Sequence, residues 1–395
     1  MALAMINYEE AQRRLLALAS PLPAVNLALN KAHGRYLASD VIARRTQPAA
    51  DLSAMDGYAV RYADLAAGMQ IIGESAAGRP FDGTLQPGQA VRIFTGAQVP
   101  NDADTILIQE DAAVLDQRLT ITGTGPDHMG RHIRKAGSDF NAGEILLSKG
   151  QLLNPGAIAV AAMANYSELS IHKSPIISIL ASGDELVHPG DSINSAQIPS
   201  SNSVMLSAIL AALPCEVTDH GIAKDDISAL QHKLESCEGS DVIVTSGGAS
   251  VGDHDLVQTA LTDMGAEMDF WRVAIRPGKP IMSGKLGNSI VLGLPGNPSS
   301  AFVTSVLFLL PLVRYLSGST EPLPVFFSAP SLQSLPNGGG RTEFIRARVD
   351  SDGIRTFGRQ DSGLTTPLAV ANALLVRPAD SKAAKIGDIQ KYIYL

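Results

Sequence analysis

The chain has 395 residues, 45% apolar and 18% charged, a globular composition that excludes wholesale disorder. Its 31 Lys and Arg against 39 Asp and Glu leave a net charge of −8, which argues against a general nucleic-acid binder or a binder of anionic membranes while leaving room for a local pocket that takes a small anion. Two cysteines, Cys215 and Cys237, provide neither a disulfide framework nor a zinc cage and fit a reducing cytoplasm.

At roughly 150 residues per domain the length allows two or three domains. In chain order, Asn7 followed by Glu10 is a capping-box pattern that predicts a helix to about Leu18, ended by Pro21 and Pro23. Acidic residues come too early for a secretory signal peptide. From Thr46 glycine and proline recur, and the runs Val91–Phe94, Thr105–Ile108 and Leu119–Thr122 predict a small β-rich unit ending near Gly143. Asn154 to Ala164 is Ala-rich and helical, with Pro155 in the first turn. From Ser174 short apolar runs (Ile176–Leu180, Val217–Ile222, Val242–Thr245, Ile290–Leu294) alternate with helical patterns (Ser203–Leu213, Asp226–Glu235, Asp255–Met264, Ser299–Leu316). That alternation predicts a parallel α/β sheet covered on both faces. The stretch Ala301–Val313, interrupted by Thr304, Ser305 and Pro311, reads as a buried helix too short to span a bilayer. After Pro322 the chain turns to strands again: Ile345, Ala347 and Val349 alternate with Arg346 and Arg348, and a last segment ends at Tyr392–Leu395. These changes divide the chain into a two-piece helical linker (1–45 and 144–173), a β-rich unit (46–143), an α/β unit (174–320) and a C-terminal β unit (321–395).

Several constellations carry possible chemistry. Thr245-Ser-Gly-Gly-Ala-Ser-Val-Gly-Asp-His-Asp255 follows a predicted strand and precedes a helix, the arrangement that offers backbone N–H groups to an anion. The spacing is neither the dinucleotide fingerprint nor a Walker loop, and a purely structural tight connection is the competing reading. Arg272 to Lys285 holds four cations and no acid in an acidic chain. Its Pro277-Gly278 turn can aim Arg276 and Lys279 at one oxyanion, although a solvated basic turn would look the same. Leu292-Gly-Leu-Pro-Gly-Asn-Pro-Ser-Ser300 puts hydroxyls at a helix start, where ordinary capping is an equal explanation. The acids of Ser182-Gly-Asp-Glu-Leu186, Asp225, Asp226 and Asp255 follow predicted strands. Along one sheet edge they would suit Mg²⁺, and singly they suit helix caps. Ser53-Ala-Met-Asp-Gly-Tyr-Ala59 and Thr95-Gly-Ala-Gln-Val-Pro100 read as turns. His254 is a lone histidine beside the glycine loop. HExxH, CxxC and Gly-x-Ser-x-Gly motifs are absent, so soft-metal ligation by the protein is not expected.

Taken together, Ser53–Ala59, Thr95–Pro100, Ile133–Gly143, Ser182–Leu186, Thr245–Asp255, Ala274–Pro280 and Gly293–Ser300 resemble the signature series of the molybdopterin molybdenumtransferases, the MoeA-type family that includes the E domain of gephyrin. The resemblance runs over nearly the whole chain. It implies an α/β plus β fold in an elongated multidomain subunit: a split helical linker domain, a β-rich domain, a MogA-like three-layer α/β pterin-binding domain and a C-terminal β-barrel. It also implies a cytoplasmic homodimer whose cleft is shared between subunits, with adenylated molybdopterin and molybdate as substrates, Mg²⁺ as cofactor, AMP as leaving product and the molybdopterin adenylyltransferase as a contact. No nucleic acid or membrane enters this picture.

By residue, the resemblance assigns Gly247, Gly248, Ser250 and Gly252 to the pterin and its phosphate. Arg276, Lys279, Ser300, Arg341 and Ser362 fall to molybdate, and Glu185, Asp225 and Asp255 are catalytic acids that hold the metal. Asp56, Thr95 and Asp139 are catalytic positions facing the cleft from the partner subunit. Arg276 stands where many relatives carry Lys, so the charge is kept and the geometry of the donor changes. A nucleotide or pyrophosphate hydrolase on the same α/β fold, and a non-catalytic pterin-binding scaffold, are the alternatives to the transferase.

Overall fold

A computed structural model describes residues 5–247 and 256–395, with Phe270 and Trp271 by backbone alone. The organising element is a seven-stranded sheet in the spatial order Met5–Ile6, Glu267–Val273, Pro280–Leu286, Ser289–Leu294, Val242–Ser246, Ile176–Ser182, Glu216–Ala223. The strands Ile176–Ser182, Val242–Ser246 and Ser289–Leu294 are parallel neighbours and almost wholly buried, as continuous apolar runs require when helices cover both faces. One face packs against Leu206, Leu210 and the helical run Pro298–Leu316, the other against Leu230, Leu234, Val257 and Leu261.

The sheet departs from the expected parallel pattern at one side. Glu267–Val273 and Pro280–Leu286 are antiparallel strands, paired from Glu267 with Lys285 to Arg272 with Pro280. Their cations drew attention as a charged segment, yet Val273 and the consecutive Ile281 and Met282 are buried in the sheet.

Pro298–Leu316 is helical for 19 residues without a break, its middle Ser305–Leu309 wound as a wider π-turn. Thr304 and Ser305 do not interrupt it, because their hydroxyls bond back to the carbonyls of Ser300 and Phe302. Pro311 brings no N–H to the Leu307 carbonyl, and the buried Gln12 amide donates to that carbonyl at 2.7 Å. By length and composition this is the one helix among the described residues able to cross a membrane; it covers the predicted pattern Ser299–Leu316 and lies buried under the sheet.

Gln12 points to a second difference. The helix Tyr8–Ala17 begins where expected, with Asn7 Oδ1 accepting from the Glu10 N–H at 2.8 Å. Glu10 does not complete a capping box, since its carboxylate binds Arg13 and Arg14. The helix packs Ala11 and Leu15 into the α/β core, and Met5–Ile6 extends the seven-stranded sheet, so residues 5–17 belong to that unit rather than to the linker. The linker itself is more strand than helix. Ala24–Ala28 pairs with Glu168–His172 and Val41–Ile42 with Ile145–Leu147 around one helix, Pro155–Met163. Leu37, Val41, Leu153, Ala157 and Ile171 form its core, drawn from both pieces of chain.

Between these pieces lies a six-stranded sheet ordered Thr105–Ile108, Gly57–Val60, Gln89–Ile93, Met69–Ser75, Arg118–Ile121, Ala112–Leu115. Gly57 is not a turn residue here. It opens a strand so close to its neighbour that a Cβ would lie 2.1 Å from the Leu107 carbonyl oxygen.

The C-terminal strands pair in the spatial order Gly353–Thr356, Thr342–Asp350, Ala373–Arg377, Ile389–Tyr394, Phe327–Pro330, and a bridge from Ser331 to Ile354 carries the order round to its start. One more strand joins them from the α/β unit: Ile275–Arg276 runs parallel to Thr342–Glu343. That pairing fastens the two units together beside the Pro277-Gly278 turn.

Candidate functional site

A cleft of about 790 Å³ opens at the carboxyl ends of the parallel strands, with the C-terminal unit as one wall. On its acidic side lie Glu185 and Asp225. The Ser182 hydroxyl donates to Asp225 Oδ1 at 2.9 Å and the Asp184 N–H to Oδ2 at 3.4 Å. The Asp225 N–H returns a bond to Asp184 Oδ1 at 3.2 Å, so the loops after Ile176–Ser182 and Glu216–Ala223 brace each other and fix the Asp225 carboxylate. Gly247, which begins the glycine loop, has φ +94° and lies where a Cβ would be 2.4 Å from the Ser182 carbonyl oxygen. Only glycine fits on both counts. Gly247→Ala should therefore lower stability by roughly 1–3 kcal/mol, read as a fall in the urea midpoint at unchanged m. An unchanged midpoint would show that this loop is not pressed against the first strand.

Opposite stands a cationic wall of Arg276, Lys279 and Arg341. Gly278 takes φ +101° and lies where a Cβ would be 2.5 Å from Thr304 Cγ2, so the turn packs onto the helix that carries Ser300. The Lys279 carbonyl accepts from the Val273 N–H at 2.9 Å, closing the loop and leaving the ammonium exposed in the cleft without an ion-pair partner among the described residues. Arg276 is bridged to Glu343 at 3.2 Å, and the Arg341 Nη1 donates to the Ile275 carbonyl at 3.3 Å. Arg341 reaches this wall because the strand it leads into, Thr342–Asp350, is paired to Ile275–Arg276. Ser300, buried, and Ser362 complete the wall with hydroxyls.

The floor carries groups that sequence reasoning missed. Asn202 donates through Nδ2 to Ser246 Oγ at 2.8 Å and to the Gly296 carbonyl at 2.7 Å, tying the first turn of Ser201–Leu210 to two strand ends. Its Oδ1, with Ser200 Oγ and Thr245 Oγ1, is buried without a hydrogen-bond partner among the described residues. Each such orphan costs about 1–3 kcal/mol, and Ser200 and Asn202 both line the cleft, where a polar ligand would satisfy them. The signal was the Pro199-Ser-Ser-Asn202 cluster before an apolar run. A helix start placed at Ser203 hid it in the loop.

The cleft thus gathers Glu185, Asp225, Gly247, Arg276, Lys279, Ser300, Arg341 and Ser362. Gly248, Ser250, Gly252 and Asp255, like His254, lie outside the described residues. Asp56, Thr95 and Asp139 lie on the β-rich unit and do not line the cleft of their own chain. Asp56 Oδ1 accepts from the Thr95 N–H at 2.7 Å and the Thr95 hydroxyl at 2.8 Å. Those bonds, the backbone one foremost, hold the Asp56 carboxyl below the usual aspartate value. Asp139 is exposed, and its N–H donates to the Gln47 carbonyl at 3.0 Å.

Residues 6–164 match the MoeA N-terminal region (domain I and II), 178–315 a probable molybdopterin binding domain, and 328–394 the MoeA C-terminal region (domain IV). The molybdopterin molybdenumtransferase of Staphylococcus aureus (strain COL) is 34% identical over 394 residues, covering 97% of this chain and 94% of its own. That of Haemophilus influenzae is also 34% identical and covers 97% of both chains. The chain belongs to the MoeA family of molybdopterin molybdenumtransferases. A crystal structure of a molybdopterin biosynthesis moeA protein from Pyrococcus horikoshii OT3 superposes on it with a TM-score of 0.86 at 25% identity, covering 99% of this chain and all of that one. The MoeA family is one of enzymes, and this chain is an enzyme of it; its fold is the MoeA-type multidomain one, with mixed sheets and few helices.

Proposed function

We propose that the chain inserts molybdenum from molybdate into adenylated molybdopterin, with release of AMP. The observation that carries this reading is the opposition, across one cleft, of Arg276, Lys279 and Arg341 with two hydroxyls on one side and Glu185 with Asp225 on the other. Molybdate is a tetrahedral dianion with hard oxygens. It is bound by fixed cations, hydroxyls and backbone N–H groups, and needs no thiolate from the protein. The soft sulfur ligands come from the pterin dithiolene, so a chain whose two cysteines are a buried and a half-buried free thiol can still handle the metal.

In this reading Ser200, Asn202 and the Gly247 loop hold the pterin and its phosphates, and the cationic wall holds molybdate beside the dithiolene. Arg276 has a planar fork where a Lys would present a point charge, and its pairing with Glu343 keeps that fork oriented. Glu185 and Asp225 would supply hard oxygen donors of the kind Mg²⁺ takes together with substrate phosphates and water, and the family resemblance adds Asp255, outside the described residues, as a third acid. Mg²⁺, when bound there, would neutralise charge on the phosphoanhydride that is cleaved.

A homodimer is part of the proposal, with Asp56, Thr95 and Asp139 presented to the partner's cleft. Ile42 and Ile145, paired across two strands of the linker and both exposed, are apolar surface that an association between copies would cover. We place the enzyme in the cytoplasm, in keeping with its free thiols, and in contact with the adenylyltransferase that makes its substrate. The test is one assay of the purified chain with adenylated molybdopterin, molybdate and Mg²⁺, quantifying AMP and pterin-bound molybdenum. The two products should rise together and only when all three components are present. AMP release from simple dinucleotides without molybdate, or ligand binding with no turnover, would overturn the reading.

A further inference from the structure

We infer that Arg346 is a positioning residue for the cationic wall: its buried guanidinium docks segment 360–364, and with it Ser362, onto the start of the helix that carries Ser300. The inference rests on the molybdate reading of the cleft proposed above.

Arg346 sits on Thr342–Asp350, where alternation with Ile345 and Ala347 would turn it to solvent. Instead it is 1% exposed and heads the largest fully buried side chains. Its Nη1 donates to Ser299 Oγ at 2.5 Å and to the Leu364 carbonyl at 2.9 Å. Nη2 donates to the Asp361 carbonyl at 2.9 Å, and Nε to Gln360 Oε1 at 3.2 Å. No carboxylate is ion-paired with it among the described residues. Burial pulls its pKa down, with Asp361 acting in the other direction. An unpaired buried charge is a poor way to fill a core, and an apolar side chain would pack that strand at less expense. What the guanidinium offers is a planar fork that satisfies four acceptors at once.

Those acceptors matter because the segment has no helix or strand of its own between residues 357 and 365. Its remaining ties converge on the same place. The Ser299 N–H donates to the Ser362 carbonyl at 3.1 Å, the Ser299 hydroxyl to the Leu364 carbonyl at 2.7 Å, and Asn297 Nδ2 to Ser362 Oγ at 3.2 Å. Gln360 Nε2 returns a bond to the Arg346 carbonyl at 3.2 Å. Gln360, Asp361 and Ser362 all line the cleft beside Arg341 and Ser300. Arg346 does not line it, so its influence passes through the segment it holds.

The test uses the full-length chain and molybdate itself, titrated by calorimetry, together with the molybdate dependence of AMP release. Arg346→Lys and Arg346→Gln should each weaken molybdate binding roughly 10-fold or more, because a displacement of the order of 1 Å at a binding group is enough for such a loss. Half-saturating molybdate should rise in step, with the saturated rate within about threefold and the affinity for adenylated molybdopterin within about twofold of wild type. Ser299→Ala, which removes one acceptor of the guanidinium together with the hydroxyl's own bond to the Leu364 carbonyl and leaves the guanidinium in place, should give a loss of roughly threefold and serves if an Arg346 variant does not fold. A merely structural role would lower the melting temperature without separating the two ligands. Folded variants that bind molybdate within twofold of wild type, or full recovery in Arg346→Lys, would overturn the positioning role and leave the molybdate reading standing. Failure of the wild-type chain to bind molybdate would overturn both.

Discussion

Lys279→Ala is expected to weaken molybdate use roughly 10- to 100-fold while leaving the affinity for adenylated molybdopterin within a few-fold of wild type. The range follows from losing one charge-assisted contact worth about 1.5–3 kcal/mol. The effect should exceed that of neutralising Arg276, because the two cations are not equally free. Arg276 is already bridged to Glu343 at 3.2 Å, so part of its charge is spent on that carboxylate, and Arg341 is bonded to the Ile275 carbonyl. Lys279 faces the cleft without an ion-pair partner among the described residues, so an incoming dianion meets its full charge. Backbone effects should be small, since the loop is closed by the Lys279 carbonyl rather than by its side chain. The measurement is a molybdate titration of AMP release alongside equilibrium binding of the pterin nucleotide. Equal loss of both ligands would reject the assignment of Lys279 to the oxyanion.

Asp225→Asn should lower Mg²⁺-dependent AMP release by roughly 100-fold and raise the Mg²⁺ concentration for half-maximal rate. Asparagine keeps the size of the side chain and one oxygen to accept from the Ser182 hydroxyl, so the change isolates the negative charge. Folding should be little affected, because Asp225 is exposed and the brace to Asp184 retains its backbone half, the Asp225 N–H to Asp184 Oδ1. Binding of Mn²⁺ as a spectroscopic stand-in should weaken in parallel, which separates a loss of metal from a loss of chemistry. Asp255→Asn, at a position outside the described residues, is expected to behave alike. An Asp225→Asn variant with unchanged rate and unchanged metal dependence would remove this residue from the metal-holding set.

The legible parts of the fold were those whose information is local. Ile176–Ser182, Val242–Ser246 and Ser289–Leu294 could be read because strands buried on both faces must be apolar at consecutive positions. The start of Tyr8–Ala17 could be read from its cap, but its destination could not: Leu15 would look the same whether it packed on the linker or, as it does, on the α/β sheet. Glu267–Val273 and Pro280–Leu286 were obscured because Arg272 and Lys285 sit among their apolar residues, and the charges drew the eye to chemistry instead of pairing. In the site, the cations and acids stood out by type and spacing. Ser200 and Asn202 did not, since a polar residue near a helix start is ordinary until it is found buried and unpartnered.

The motif series carried the resemblance to the family, and apolar period and residue type by themselves were enough to determine the strand–helix alternation of the α/β unit and the cations and hydroxyls that a hard oxyanion requires. Tertiary structure alone decided that Arg346 turns inward, that Ser200 and Asn202 line the cleft, and by which pairing Arg341, given to the oxyanion only by resemblance, is brought beside Lys279. The physical reason is range. Propensity, capping and amphipathic period act within a few turns of chain, whereas the pairing of Ile275–Arg276 with Thr342–Glu343 joins segments 67 residues apart and depends on which buried donors and acceptors remain to be satisfied once every unit has folded.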